Sequence, residues 1–465
     1  MRPIRSPRLS MLALAACLIG GCAVGPAYQR PSVAEPAAFK AAQGWVVAAP
    51  ADTLERGAWW TLFNDPILNE LAVRVEVSNQ NVAAAVAAYA QARTLVTQQR
   101  ASLFPTIGLD ASANRSGSRD GESERRYRID IGGSWEPDIW GRLRTGVSGA
   151  QAGADASAAD LAAARLSAQG ELAVNYFSLR QADAQRALLA STIEGYQRVL
   201  TITQNRYTAG IEGKSAVLQS QTQLANARID ELALARQRAQ YEHAIAVLLG
   251  KAPADFTLAS APWAAGVPAI PPMVPSTLLQ RRPDIASAER RVAAANSEIG
   301  IARAAYYPSL NLTGSIGTTA SAVSGLFNAS NALWSFGLSA AQTLFNAGAT
   351  RARVAGAEAQ HAVTVARYRQ TVLDAFADVE NALTATQSLE QQQALRRQAS
   401  EAANQVEAQM LNRYKAGQVG YTEVVQAQQT ALSARRALVQ SQAERQITAV
   451  ALIQSLGGGW QVAAE

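Results

Sequence analysis

The sequence predicts a mainly helical protein with a smaller membrane-facing β part, built as two copies of one unit. Three observations carry that prediction: where the prolines fall, a Gly-ended motif that occurs twice, and four runs of alternating apolar and polar residues. All 17 prolines lie in limited zones, with none between Pro137 and Pro253 and none after Pro308. Proline breaks helix interiors, so each gap has room for very long helices. Composition agrees. Hydrophobic residues make up 48% of the chain but aromatics only 6%, and alanine, roughly a fifth of the residues, closes the difference. Small side chains suit slender helices packed close together rather than a thick core.

Residues 1–21 form an export signal. Arg2, Arg5 and Arg8 supply the positive start, and Leu9 to Ile19 a short apolar run. That run is about half the roughly 20 residues a spanning helix needs. Ile19-Gly20-Gly21-Cys22 then resembles the bacterial lipobox, which makes the Cys22 thiol the point of acylation and the mature N-terminus. Acyl chains hold a protein at a membrane surface. Ala23 rather than Asp follows, which for such lipoproteins implies the outer membrane. Without the three signal arginines, 39 of the 42 basic side chains remain against 36 acidic ones, so no charge excess points to nucleic acid. Two cysteines and two histidines exclude a disulfide framework and a multi-histidine metal site.

Residues 22–66 form the lipidated N-terminal segment and 67–250 the first repeat: a helix, strands over about 104–116 and 126–135, and a helical hairpin. Leu189, Ile193, Tyr196, Leu200, Thr203 and Tyr207 step by four and three, as a coiled-coil seam does. From Arg142 to Thr208 a continuous helix would measure about 100 Å. It ends at Asn205-Arg206-Tyr207-Thr208-Ala209-Gly210, followed by Gly213, and the chain then resumes as helix, placing a hairpin tip at about 208–214. Residues 251–282, rich in proline and small residues, form a linker.

The second repeat, 283–456, has strands over about 308–318 and 333–345 and a tip at about 415–421; 457–465 form a tail. Its tip, Asn412-Arg413-Tyr414-Lys415-Ala416-Gly417 followed by Gly420, copies the first at an offset of 207. Arg100 to Pro105 and Arg303 to Pro308 match at an offset of 203. Two matches in one order mark an internal duplication. Gly210 and Gly417 suit the left-handed residue that ends a helix. In the second long stretch Val425, Leu432, Val439 and Ile453 share a heptad position, interrupted by Gln446.

After Pro105 and Pro308 the period changes from helical to alternating. Ile107, Leu109 and Ala111 interleave with polar or small residues, as do Tyr127, Ile129 and Ile131, then Leu310, Leu312 and Ile316, then Trp334, Phe336 and Leu338. Runs of about 10 residues suffice for tilted membrane strands. Aromatics gather near their ends: Phe104, Trp135, Trp140, Tyr307, Trp334 and Phe345. A soluble half-buried sheet would alternate in the same way. Four strands cannot close in lipid, where open edges are prohibitive, so a membrane barrel would have to be shared between subunits. Residues 117–125 and 321–330 would be the outer connections.

With Gly21-Cys22-Ala23-Val24-Gly25-Pro26-Ala27-Tyr28, Trp59-Trp60-Thr61-Leu62-Phe63-Asn64-Asp65-Pro66, Trp135-Glu136-Pro137-Asp138-Ile139-Trp140-Gly141-Arg142, Arg281-Arg282-Pro283-Asp284-Ile285 and the paired tips, the chain resembles the outer membrane factor family of TolC-like efflux channels, in its lipoprotein branch. The resemblance runs from Cys22 to about Leu456. It implies a homotrimer with a twelve-stranded barrel and a periplasmic α-helical tunnel. Also implied are a periplasmic adaptor protein and an inner-membrane efflux pump as partners, contact with outer-membrane lipid, no cofactor, and passive export of drugs or other small toxic compounds. The tips, through Tyr207, Gly210, Gly213, Tyr414, Gly417 and Gly420, would meet the adaptor. Acids after the second tip constrict the tunnel entrance in this family. Glu423 matches the first of them and Gln426 replaces the second, so any acidic ring is single, with Arg413 and Tyr414 as latch residues.

Other readings compete. The outlet of a type I protein secretion system shares this architecture, and a lipoprotein spacer would need no channel. Enzyme chemistry lacks support: there is no phosphate-cradling Gly-Lys-Ser/Thr loop, no Cys-x-x-Cys and no Gly-x-Ser-x-Gly. His243 and His361 stand isolated in helical stretches. Glu423 can equally be a solvated charge on a helix face.

Overall fold

The computed structural model describes residues 24–33, 39, 57–117, 121, 123–263, 266–268 and 282–458. The signal and Cys22 therefore lie outside the described residues, as do much of the 251–282 linker and the tail from 459.

The duplication is visible in the element lengths. Helix α1 (Pro66–Ser78) leads into α2 (Gln80–Ala101), strand β1 (Thr106–Gly117), strand β2 (Ser123–Trp135), α3 (Arg142–Thr208) and α4 (Lys214–Leu248). The second copy runs α5 (Pro283–Ala304), β3 (Ser309–Ala320), β4 (Ala332–Ala341), α6 (Ala349–Lys415) and α7 (Tyr421–Ser455). Helices α3 and α6 each have 67 residues, and α4 and α7 each have 35. Helices α2 and α5 match at 22 residues each. Mostly helical, with one four-stranded sheet, the chain repeats a single helix–strand–strand–hairpin unit.

Packing divides the chain into two compact units. One contains Ala87–Ala159 and Ser287–Gln370 together with the described part of Met1–Val33; the other contains Asp160–Ala286 and Thr371–Glu465 with the described part of Ala34–Val86. The first holds an antiparallel sheet in the order β1-β2-β3-β4. Helix starts here are set by side chains. Asp138 accepts the backbone N–H of Leu143 at 3.0 Å and of Arg144 at 2.8 Å, satisfying two free donors at the start of α3. Residues 24–33 lie along α5: Asn296 Nδ2 donates to the Pro26 carbonyl at 2.9 Å, Tyr28 hydrogen-bonds Glu289, and the Val24 N–H reaches the Trp140 carbonyl at 3.4 Å. Burial and the Glu289 carboxylate push the Tyr28 phenol pKa well above its ordinary value.

The second unit has the thicker core. Trp59, Trp60 and Phe63 pack with Leu68, Leu172, Phe177, Ile245 and Ile453. Asp65 ties this core together: one carboxylate oxygen caps α1 through the N–H groups of Ile67 and Leu68, at 3.0 and 3.1 Å, and the other accepts the Tyr176 hydroxyl at 2.6 Å. Leu189, Ile193, Tyr196 and Thr203 of the predicted seam are buried. Gln446, the polar interruption in the second heptad row, is buried because it grips the linker. It accepts the Trp263 indole N–H at 2.9 Å and donates to the Gly266 carbonyl at 2.8 Å.

Strand ends differ from the sequence expectation in two places. Strand β2 begins at Ser123 rather than near residue 126, because Ser123, Glu124 and Arg125 continue the register against Gly117, Ser116 and Arg115. Their polarity concealed the strand. Strand β4 ends at Ala341 rather than near residue 345: Gln342 turns to donate to the Tyr306 carbonyl at 3.1 Å, and Ala347 and Gly348 take positive φ at the turn into α6. Leu344 and Phe345 lie beyond the strand, exposed.

Candidate functional site

The sheet separates its side chains by chemistry. Directly paired residues share a face, and the registers place Ile107, Leu109, Ala111 and Ala113 of β1 beside Tyr127, Ile129, Ile131 and Trp135 of β2. The same face continues through Leu312 and Ile316 of β3 to Trp334, Phe336 and Leu338 of β4. Most of these large side chains are exposed, Trp334 at 80% and Ile107 at 74%. Such a contiguous apolar surface is far beyond what a water-facing sheet carries and fits lipid. The opposite face is polar. Arg128 pairs with Asp130 at 2.6 Å, Arg126 with Glu124 at 3.1 Å, and the Ser315 and Ser335 hydroxyls are 2.9 Å apart. On the polar face Leu333, opposite Gly317, is the one large apolar side chain among the described residues, and on the apolar face Arg115 and Arg125 are the charged pair.

Helices α2, α3, α5 and α6 join the sheet at one end, where aromatic side chains collect. Trp140 stacks on Tyr307 with ring centroids 4.9 Å apart and donates its indole N–H to the Pro308 carbonyl at 2.7 Å. Trp135 donates to the Leu103 carbonyl at 3.0 Å. Half-apolar rings with a satisfied N–H belong at a membrane–water boundary. Strands β1 and β4 each leave one edge without a partner among the described residues.

The tips form the second part of the site. Gly210 has φ +72° and Gly417 φ +77°, and in each the next residue donates its N–H to the carbonyl five positions back: Ile211 to Arg206 and Gln418 to Arg413, both at 2.9 Å. These are Schellman closures, which need the left-handed residue that glycine adopts without strain. Gly213 and Gly420 are the extended N-caps of α4 and α7.

The two tyrosines of the copied motif have different fates. Tyr207 is exposed, whereas Tyr414 is fully buried. The Tyr414 hydroxyl donates to Glu212 at 3.2 Å, and its ring lies 4.8 Å beneath the guanidinium of Arg206. Arg206 also donates to the Tyr414 carbonyl at 3.2 Å and holds Nε 3.6 Å from Glu212, a charge contact too long for a good hydrogen bond. Burial first, then the Glu212 charge, raises the Tyr414 pKa above its ordinary value, so its phenol remains a donor. The seam continues inward: Tyr414 and Tyr421 rings are 5.7 Å apart, Tyr421 donates to Gln223 at 3.1 Å, and Gln223 donates to Gln428 at 3.1 Å. Four helices of one chain are thereby joined at their tips.

Arg413 is exposed, and the guanidinium over the Tyr414 ring is that of Arg206, from the other tip. Glu423 is exposed in the first turn of α7, without an ion pair among the described residues, where the helix N-terminus favours its charge. Sequence reasoning missed Arg206, Glu212, Tyr421, Gln223 and Gln428. The available signal was the mismatch between copies: Glu212 aligns with Val419, so only one tip offers an acceptor.

A sheet with one lipid-compatible face and one polar face, in a chain that also forms two long helical hairpins, defines a subunit of a membrane channel. Comparison with known proteins makes this specific. Residues 71–251 and 274–458 match the family model described as outer membrane efflux protein, and the chain belongs to that family. It is 31% identical to the cation efflux system protein CusC of Escherichia coli O6:H1, across 96% of this chain and 97% of that one. It is 30% identical to the solvent efflux pump outer membrane protein SrpC of Pseudomonas putida, across 98% of both. The solved outer-membrane channel OprN superposes with a TM-score of 0.87 at 31% identity, covering 94% of this chain and all of that structure. The protein is an outer-membrane channel component of an efflux pump, of a family whose members are channels.

Proposed function

We propose that three copies of the chain close a twelve-stranded barrel and act as the passive exit duct of a tripartite pump. A periplasmic adaptor and an inner-membrane pump would supply the rest of the machine, and drugs or other small toxic compounds the cargo. The observation that carries this reading is the sheet: an apolar face, a polar face and two open edges that only further copies can pair. The helix-bearing end of the strands faces the periplasm, and the connections after Gly117 and Ala320 face outward. Relatives are named for cations, solvents and antibiotics, a range that supports a duct whose cargo is selected by the pump.

Cys22 anchors the chain by its acyl group. Two residues beyond it, Val24 is bonded to the Trp140 carbonyl at the aromatic base of the sheet. At the tips Tyr207, Gly210, Gly213, Gly417 and Gly420 serve as the adaptor-facing surface. Glu423 lines the entrance with Tyr414 behind it, and Arg413 lies on the outer side of the latch.

Planar-bilayer recording tests the duct. Wild-type protein should conduct with cation preference, and Glu423→Lys should reverse that preference; unchanged preference would remove Glu423 from the entrance. Deleting the gene should raise sensitivity to antibiotics or solvents, whereas loss of one secreted protein instead would favour the secretion reading. Cys22→Ser should abolish palmitate labelling.

A further inference from the structure

The lipid-facing side of the first hairpin ends in two cations. Arg115 and Arg125 are directly opposite in the register, on the same face as Ile107, Leu109, Ile129 and Ile131. Like charges directly opposite across an antiparallel pair destabilise it, since their Cβ atoms are only about 5 Å apart. Every arginine described on the polar face of this hairpin has an acid: Arg126 has Glu124 and Arg128 has Asp130. Arg115 reaches only the Ser123 hydroxyl, at 3.2 Å, and Arg125 has no hydrogen-bond or ionic partner among the described residues. The second hairpin, the copy of the first, carries no charged residue from Ser309 to Ala341. The pair is therefore not part of what the repeated fold requires.

Height decides what the pair meets. Arg115 is nine residues beyond Thr106, the first residue of β1. At about 3.3 Å per residue and a tilt of about 40°, that is about 23 Å along the membrane normal, against an apolar band about 25 Å tall. The guanidinium groups thus sit at the outer boundary of the band, above Tyr127 and the apolar side chains below it. There a charge is tolerated at little cost, whereas at the midplane it would be strongly destabilising.

We propose that Arg115 and Arg125 form a site for the phosphate of the phosphorylated glycolipid of the outer leaflet, the lipid A portion of lipopolysaccharide. Two arginines opposite each other in the register can both turn their guanidinium forks to a doubly charged phosphate, which relieves their repulsion. The ligand is a lipid because the surface continuing below the pair, through Leu109, Ile129 and Ile131, is the one that acyl chains cover. This inference rests on the outward orientation given above for the strand connections.

Native mass spectrometry of the full chain in detergent, with added diphosphorylated lipid A, tests it. Wild type should carry lipid A adducts, and Arg115→Ala/Arg125→Ala should bind at least tenfold more weakly. Arg126→Ala, which removes the same charge from the other face of the same strand, should bind like wild type. Arg125→Gln, whose parent side chain holds nothing in the fold, should alone weaken binding severalfold. Equal binding by wild type and the double variant overturns the proposal. So does equal binding of dephosphorylated lipid A, which would mean apolar contact alone, or displacement by inorganic phosphate at equal concentration, which would mean a site for soluble anions. Conductance in bilayers should be the same in all variants. A wild type that binds lipid A without conducting would count against the duct and leave the phosphate site standing.

Discussion

Tyr414 shows how one residue acquires a role its own copy lacks. Its hydroxyl finds Glu212, while Val419, at the position of Glu212 in the second tip, offers Tyr207 no acceptor. Tyr414→Phe should keep the ring under Arg206 and lose only the hydroxyl contact, about 1 kcal/mol. If the seam holds the tips together, open probability in bilayer recordings should rise about fivefold, and an unchanged value would remove Tyr414 from the latch. The same residue gives a pH expectation. Its folded pKa is raised above 10.0, so the neutral phenol is the stabilised form. That contribution is complete below the ordinary pKa and is lost as pH rises through the folded value. Tip opening should be indifferent to pH below 10 as far as Tyr414 is concerned, and increase only in stronger alkali. Residue roles of this kind were poorly legible in the sequence. The motif identified Tyr414, but its partners Arg206 and Glu212 lie about 200 positions away in the chain.

At the scale of elements the sequence was far more informative, because length is a one-dimensional property. A proline-free gap bounds a helix directly, and the Gly210 and Gly417 closures mark where each hairpin turns. The buried polar clusters that fasten helices to the linker were not legible. Asp183 accepts Arg180 at 3.2 Å and Arg238 at 2.7 Å; Arg180 Nη1 donates to the Ala259 carbonyl at 2.9 Å, and Arg238 to that of Leu258. Only the fold brings α3, α4 and the start of the linker to one place. Arg180 and Asp183 are almost wholly buried, with side chains 1% and 3% exposed. Asp183→Ala should strand the Arg180 charge and cost about 3–5 kcal/mol, read as a lowered urea midpoint. Arg180→Met/Asp183→Leu removes both charges and should recover much of that loss. A double variant as unstable as the single one would show that the cluster holds the linker by shape rather than by charge compensation.

For the whole molecule, duplication explains the four strands and two hairpins among the described residues, and the open edges of β1 and β4 are what the proposed closure by further copies would pair. Alternation alone could not decide between a lipid-facing sheet and a soluble one. The register decides in favour of lipid, since four strands place their apolar side chains on one common face with nothing from the described chain covering it. The central claim is that these edges are closed by identical neighbours, with β1 of one copy meeting β4 of the next. Native mass measurement of the protein extracted from outer membranes tests it most directly. The account predicts a complex of three chains; a monomer would contradict shared closure altogether, and a dimer would contradict the twelve-stranded barrel.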